Sequence, residues 1–147
     1  MKVILQRSKK SSVSVDNKVV GSIDSGLVIL SCFTEGDNEA IIDKMINKII
    51  NLRIFNDDKG VMNKSILDVG GSILSISQFT LYADVRKGRR PSYIKALNGN
   101  ESIKLYDLFN EKLRNYMHVE TGIFGADMNV PITNDGPVTI IIESEDL

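Results

Sequence analysis

Two short segments carry the residue types that could do chemistry. The first begins with three polar side chains, Ser77, Gln78 and Thr80, in a strand-like run. A core strand carries such groups only where they serve a site or are hydrogen-bonded, because burying an unpaired polar group is costly. Four positive charges follow within the five residues 86–90, and such a cluster suits phosphate groups. The segment therefore predicts a pocket for a small polar group attached to a polyanion.

The second segment lies near the C-terminus. Asn134-Asp135-Gly136 is typical of a turn, and residues 138–142 form a strand by their β-branched content. Pro137 stands at the entrance to this strand, where a missing N–H is tolerated. Proline is also the residue at which a cis peptide bond costs least, and a cis bond would redirect the Gly136 and Pro137 carbonyls. An ordinary tight turn and a functional turn both fit this pattern.

The familiar catalytic and metal-binding sets are poorly supported. The chain has one cysteine and one histidine. Cys32 lies in an apolar run, which indicates inert packing, and His118 follows a predicted helix, where its charge suits the helix dipole. Because neither has closely spaced carboxylates nearby, we expect no metal site. Ser77 and Thr80 have no neighbouring base, so an enzyme of this sequence would rely on positioning and on oriented backbone dipoles.

Length and composition indicate one ordinary globular domain over residues 1–147. The apolar content of 42% and charged content of 25% are typical of soluble proteins. No run of 18 apolar residues predicts a membrane span, and no signal peptide is indicated, so the cytoplasm is the expected location. A net charge of −1 excludes a protein that coats nucleic acid, and leaves only a local contact through the basic segment.

Apolar periodicity predicts the elements that position these residues. One amphipathic helix runs from an Asp37 cap to about Leu52, and a second spans 101–117 with Ile103 facing inward. Strand patterns occur at 3–6, 13–21, 26–33 and 72–80, and two strands joined at Asn134-Asp135 cover 128–142. We expect an α+β fold with a mixed or antiparallel sheet, a barrel-like core and two main helices.

The residues also carry a family pattern. Ser77-Gln78-Phe79-Thr80-Leu81 and Asn134-Asp135-Gly136-Pro137-Val138-Thr139, in this order and spacing, resemble the two signature motifs of the D-aminoacyl-tRNA deacylases, also called the D-tyrosyl-tRNA(Tyr) deacylase family. The resemblance covers effectively the whole chain. Its other segments are 3–7, 51–55, 67–71, 86–91 and 120–128.

The resemblance implies a homodimeric, cofactor-free hydrolase. Its substrate would be D-aminoacyl-tRNA, or glycyl-tRNA mischarged on tRNA(Ala), and its role would be chiral proofreading in translation. The Gly136-Pro137 peptide would be cis, and its two carbonyls would reach into the partner's pocket. There they would capture the α-amino group of the substrate and leave no room for an L side chain.

The resemblance also assigns roles to other residues. Ser77, Gln78, Phe79 and Thr80 would form the catalytic wall, with donors near the ester carbonyl and Phe79 shaping the pocket for the terminal adenosine. Arg7 would lie near the Gly-Pro turn and Met128 near the pocket, both as substrate-binding residues. The tRNA-binding residues expected from the basic segment are Arg86, Lys87, Arg89 and Arg90.

Two other functions stay open from the sequence. One is a non-catalytic RNA-binding module that uses the basic segment. The other is a sister deacylase with a trans Gly-Pro peptide that acts on small L-aminoacyl esters. Two residues depart from the family pattern: Pro131 falls inside a predicted strand, which suggests an edge or a bulge, and Ser8 stands where an apolar residue is more usual.

Overall fold

The computed structural model describes every residue from Met1 to Leu147. The strands are β1 (Lys2–Ser8), β2 (Ser11–Val15), β3 (Lys18–Ile23), β4 (Gly26–Cys32), β5 (Phe55–Asn56), β6 (Met62–Lys64), β7 (Ser72–Ser77), β8 (Val119–Thr121) and β9 (Asn134–Glu143). The helices are α1 (Glu39–Asn51), α2 (Ile66–Val69) and α3 (Gly99–Arg114), with 3-10 turns at Phe79–Tyr82 and Ser144–Asp146. None of the helices has the length and apolar content that a membrane crossing requires.

Five strands form the main sheet in the order β8-β7-β4-β1-β9. The apolar strand β4 lies at its centre, parallel to β7 and antiparallel to β1. The fold is thus a single α+β domain with a mixed sheet and two long helices, as the sequence predicts. The predicted barrel-like closure is not found, because the edge strands β8 and β9 do not pair with each other. Beyond β7, strand β8 contacts β3 of the hairpin.

Helices cover one face of the sheet and the β2–β3 hairpin covers the other. Neighbouring residues of β4 point to opposite faces, as the pleat requires: Leu27 and Ile29 pack in the larger cluster, and Val28 in the smaller one. The helical residues of the larger cluster are Ile42, Met45, Ile46, Ile49, Ile50, Ile66, Tyr106, Phe109 and Leu113. The two clusters therefore cover both faces of the sheet but not the ends of its strands, where a binding site can form.

Both long helices begin elsewhere than the sequence indicates. Asn38, not Asp37, caps α1, and its side chain accepts a hydrogen bond from the N–H of Ile41. Asp37 is engaged instead by the Met1 amino group at 2.6 Å and by the Thr34 N–H at 2.8 Å. The second helix spans 99–114 rather than 101–117, and Ile103 is 38% exposed rather than inward-facing.

The polar segment does not continue as a strand. β7 ends at Ser77, and residues 79–82 turn away in the 3-10 helix. The partner strand β4 ends at Cys32, and the last backbone hydrogen bond to it runs from the Gln78 N–H to the Ser31 carbonyl at 2.8 Å. Without a partner strand beyond this point, the prediction of a strand as far as Thr80 is wrong.

The predicted pair of strands over 128–142 is a single strand. β9 begins at Asn134 itself, so the turn chemistry lies within the strand rather than before it. The preceding segment runs beside β2 with isolated hydrogen bonds, at Asn129 to Ser14 and from the Ser12 N–H to Pro131. Pro131 has no N–H with which to extend this pairing.

Candidate active site

A cleft of about 670 Å³ opens where β7 ends. Ser77, Gln78 and Phe79 form one side of it, and Met128 and Phe124 lie among the residues of the other side. The cleft is mostly apolar with a few polar groups, as is typical of small-molecule sites. Four of the residues singled out in the sequence, Ser77, Gln78, Phe79 and Met128, therefore come together in one place.

Thr80 lies outside this cleft and supports one of its walls. Its Oγ1 accepts a hydrogen bond from Nε2 of Gln78 at 2.7 Å, and no histidine or carboxylate is bonded to it. An amide N–H is a donor and cannot take the hydroxyl proton. The contact fixes the side chain of Gln78 and does not activate Thr80 as a nucleophile.

Two aromatic rings form an edge-to-face pair at the mouth of the cleft. The ring centroids of Phe79 and Tyr93 are 5.0 Å apart and the planes meet at 75°. The side chain of Phe79 is 56% exposed although it is large and apolar. An exposed aromatic surface of this kind suits a planar ring such as a nucleobase.

The basic segment forms a closed loop immediately before Tyr93, which lines the cleft. Asp84 and Ser92 exchange two backbone hydrogen bonds, of 2.8 and 2.9 Å, and thereby fix its two ends. Gly88 turns the chain between them with a φ of 68°. Tyr93 follows the loop directly, so the end of the loop at Ser92 is next to the aromatic pair.

The four basic side chains of this loop are not equivalent. Nε of Arg86 donates to Oδ1 of Asp84 at 2.9 Å, and this contact holds the pKa of Asp84 well below its usual range. Lys87, Arg89 and Arg90 are exposed and have no carboxylate within 4.0 Å. Only these three charges are unpaired and directly available to an anion.

The Gly136-Pro137 segment projects as a bulge from the edge strand β9. Gln6 pairs with Thr139 and Ser8 with Asn134, so the four residues 135–138 stand opposite the single residue Arg7. The peptide bond between Gly136 and Pro137 is cis, and both residues are exposed. We call residues 135–138 the Gly-Pro loop.

Arg7 lies beneath this loop and is almost fully buried, with 7% exposure. Its Nη1 donates to the Ile54 carbonyl at 2.8 Å and to Oδ1 of Asn56 at 3.3 Å. Its Nε lies 3.2 Å from Oδ2 of Asp135. Arg7 therefore joins the loop to the segment that follows α1. Its guanidinium group is directed to these partners inside the protein and not to solvent.

The Gly-Pro loop does not line the cleft of its own chain. Ser77 of β7 pairs with Ser31 of β4, which in turn pairs with Val3 of β1. The loop stands opposite Arg7, four residues further along β1, and its strand β9 is three strands away from β7. At about 3.3 Å per residue and 4.8 Å per strand the two places are about 20 Å apart. One chain thus brings together the catalytic candidates and Met128 in one cluster, and Gly136, Pro137 and Arg7 in another.

Cys32 and His118 do not form a dyad. Cys32 pairs with Lys2 at one end of the sheet, while the His118 carbonyl accepts from Ile73 toward the other end. Burial raises the pKa of the Cys32 thiol to about 11, and its Sγ lies 3.4 Å from the Phe79 carbonyl as a donor. The His118 side chain is 66% exposed and 3.4 Å from Glu120. The thiol is a packing group that supports the turn after β7.

We expect the thiol of Cys32 to resist alkylation in the folded protein. With a pKa of about 11, only about one thiol in a thousand is ionised at pH 8, and the thiolate is the reactive form. Iodoacetamide labelling followed by mass spectrometry should show slow modification of native protein and complete modification in denaturant. Fast labelling of the native protein at pH 8 would contradict this assignment.

Two residues of the site carry no clear sequence signal. Tyr93 completes the aromatic pair, and only its position after the basic loop points to it. Gly122 makes room for Met128, because a Cβ atom there would lie 2.4 Å from the Met128 sulfur. The absence of a side chain at Gly122 thus lets the Met128 sulfur pack directly against the Gly122 backbone.

Comparison with known proteins gives consistent results. The family model described as D-Tyr-tRNA(Tyr) deacylase matches residues 4–143. Proteins named D-aminoacyl-tRNA deacylase from Bacillus cereus (strain B4264) and Bacillus cytotoxicus are each 55% identical over 146 residues, which is 99% of this chain and 100% of theirs.

Two solved structures share the fold. One is named c-Myc DNA Unwinding Element Binding Protein, with a TM-score of 0.92 and 37% identity over 97% of this chain and 98% of that one. The other is described as a probable eukaryotic D-amino acid tRNA deacylase, with a TM-score of 0.82 over 96% of this chain and 97% of that one. At 20% identity the second likeness concerns the fold alone.

Proposed function

This chain belongs to the D-Tyr-tRNA(Tyr) deacylase family, and we propose that it hydrolyses the ester between a D-amino acid and the terminal ribose of tRNA. The observation that carries the proposal is the cleft at the end of β7, which joins polar groups and an exposed aromatic pair and has the basic loop next to it in the chain. An aminoacyl ester, an adenine base and a phosphate chain are the three parts of an aminoacyl-tRNA end.

Each part of the substrate has a matching surface. The phosphates of the acceptor end would bind Lys87, Arg89 and Arg90 by charge. The terminal adenine would lie against Phe79 and Tyr93. The ester would then reach the end of β7, where the first N–H groups of the 3-10 turn, from Phe79 and Thr80, have no acceptor within the turn.

Hydrolysis at this site requires no histidine. Water attacks the ester carbonyl, the developing oxyanion is stabilised by the N–H donors at the start of the turn, and the ribose oxygen leaves with a proton. An aminoacyl ester is already reactive, and the neighbouring ribose 2′-hydroxyl is the group that we propose to activate the water. Thr80, which accepts a hydrogen bond from Gln78, holds the wall and forms no covalent intermediate.

Selection for the D-ester would come from the Gly-Pro loop. Carbonyl oxygens only accept hydrogen bonds and an ammonium group only donates them, so Gly136 and Pro137 suit the α-amino group of the substrate. Oγ1 of Thr139 has one hydrogen for two acceptors, Oδ1 of Asn134 at 3.1 Å and the Pro137 carbonyl at 3.3 Å, so the Pro137 carbonyl keeps at least one lone pair for the substrate. With the amine held there, an L side chain would meet loop backbone, whereas glycine on tRNA(Ala) would be accepted.

We expect the protein to act as a homodimer. The Gly-Pro loop lies about 20 Å from the cleft of its own chain, so it would complete the cleft of a partner. β9 is an edge strand, and its Ile141 is 63% exposed, which favours burial against another chain. Sedimentation at micromolar concentration should give a dimer, and a fully active monomer would contradict this expectation.

Mixing two inactive chains tests the exchange of loops. A chain with Gly136→Ala keeps its cleft, and a chain with Phe79→Ala keeps its loop. If loops serve partner clefts, random heterodimers contain one intact site, and the mixture should regain about a quarter of wild-type activity. Loops that serve their own clefts would give no recovery.

The proposed activity is tested by release of D-tyrosine from D-tyrosyl-tRNA by the purified protein. Gln78→Ala, which alters the cleft wall, should lower the rate, while His118→Ala, on an exposed side chain away from the cleft, should not. Binding of tRNA without any ester cleavage would instead support an RNA-binding module. Preferential cleavage of small L-aminoacyl esters would support a sister deacylase. Since charged tRNA is the substrate, we place the activity in the cytoplasm.

A further inference from the structure

The side chain of Asn134 is fully hydrogen-bonded at the base of the Gly-Pro loop. Its Nδ2 donates to the carbonyl of Arg7 at 3.0 Å and to the carbonyl of Val138 at 3.1 Å. Its Oδ1 accepts from Nε2 of Gln6 at 3.1 Å and from Oγ1 of Thr139 at 3.1 Å. Two donors and two acceptor positions are all that a side-chain amide offers.

These four partners stand on both sides of the loop. Gln6 and Arg7 belong to β1, and Val138 and Thr139 are the residues at which the chain returns to the sheet. Asn134 itself is the residue at which the chain leaves it. One planar group therefore joins the two ends of the bulge to each other and to the neighbouring strand.

We propose that Asn134 is the positioning residue of the Gly-Pro loop and thereby sets where the Gly136 and Pro137 carbonyls meet the substrate. The loop has no ladder partner of its own, because four residues oppose one. Without the amide, the loop would be held by the strand pairs on either side, by the Arg7 contact with Asp135 and by the contact between Thr139 and the Pro137 carbonyl. This inference rests on the proposed role of the loop in substrate selection.

No other side chain supplies the same set of bonds. Aspartate is the same size but has no donor, so it would place a carboxylate against the carbonyls of Arg7 and Val138. Serine is too short to span both strands. Glutamine has one more methylene group than the base of the loop has room for when its amide makes the same four bonds. The inference thus predicts that even Asn134→Asp does not rescue the function.

The experiment combines hydrogen exchange with kinetics. Peptides covering residues 135–138 would be followed by mass spectrometry in wild type, Asn134→Ala and Asn134→Asp. We expect both variants to raise loop exchange by at least about tenfold, since several hydrogen bonds are lost together. The kcat on D-tyrosyl-tRNA should fall by about tenfold or more, while the Kd for uncharged tRNA stays within about twofold.

Two further variants separate positioning from general loss of stability. Asn38→Ala removes the cap of α1 and should lower the melting temperature without changing loop exchange or kcat. Gln6→Met removes a single bond to Asn134 and should give an intermediate loop exchange. If Asn134→Ala behaves like Asn38→Ala in all three measurements, the inference is wrong.

The result also distinguishes this inference from the proposed function. A wild-type protein that releases D-tyrosine, with an Asn134→Ala variant that does so equally well, overturns the inference alone. A wild-type protein that releases none overturns the proposed function, while loop exchange still tests whether Asn134 holds the loop. Unchanged exchange in both Asn134 variants overturns the inference in either case.

Discussion

Replacing Gly136 with alanine is expected to reduce hydrolysis of D-tyrosyl-tRNA by at least about a hundredfold. Gly136 has a φ of 116°, a conformation that residues with a side chain rarely adopt. A Cβ atom there would lie 2.8 Å from Cγ2 of Val138, 2.9 Å from its backbone nitrogen and 3.0 Å from Nη2 of Arg7. The loop must shift to relieve these contacts, and a shift of about 1 Å at a substrate-positioning group is enough for such a loss.

Gly60→Ala is the matched control for this variant. Gly60 also has a positive φ, of 77°, but its Cβ atom would meet nothing within 4 Å. It should lose a similar amount of backbone stability, about 1 kcal/mol, and keep its activity. Initial rates under saturating and limiting substrate would separate kcat from KM. Near-wild-type kcat for Gly136→Ala would show that the loop has no part in the reaction.

Removing the unpaired charges of the basic loop is expected to weaken tRNA binding strongly. In a Lys87→Gln, Arg89→Gln, Arg90→Gln variant, the slope of log K against log salt should fall by about 0.7 to 0.9 for each lost phosphate contact. The measurement is a binding titration with uncharged tRNA at several salt concentrations. Cleavage of a short aminoacyl-adenosine, which lacks the phosphates, should change little.

Arg86 supplies the control within the same loop. Its guanidinium is already paired with Asp84, so Arg86→Gln should change the salt slope less than any of the three unpaired residues. An equal loss on tRNA and on aminoacyl-adenosine would mean that the loop is structural. A slope that falls equally for Arg86→Gln would mean that the ion pair opens on binding.

Local pattern was sufficient for much of the fold. The apolar run of β4 predicts the centre of the sheet, where the strand lies. Asp16-Asn17 predicts a hairpin turn, and both residues take the positive φ values, 50° and 63°, that such a turn requires. The helical period predicts the buried faces of both long helices, apart from Ile103.

Contacts between residues far apart in the sequence determine the features that local pattern does not predict. Asp37 does not cap α1 because the Met1 amino group, 36 residues away, engages it. Thr80 leaves the strand because β4, far earlier in the chain, ends at Cys32. The sequence indicates both motifs of the candidate site, but their division between two ends of the sheet depends on the register of β1 with β4 and β9. No local pattern contains that register.

The central claim is that this chain cleaves D-aminoacyl esters and spares L-aminoacyl esters. It is tested most directly by measuring initial rates of wild-type protein on D-tyrosyl-tRNA and L-tyrosyl-tRNA prepared on the same tRNA. We expect rapid release of D-tyrosine, and release of L-tyrosine at the spontaneous rate at every enzyme concentration. Equal rates on the two esters, or faster cleavage of the L-ester, would contradict the account.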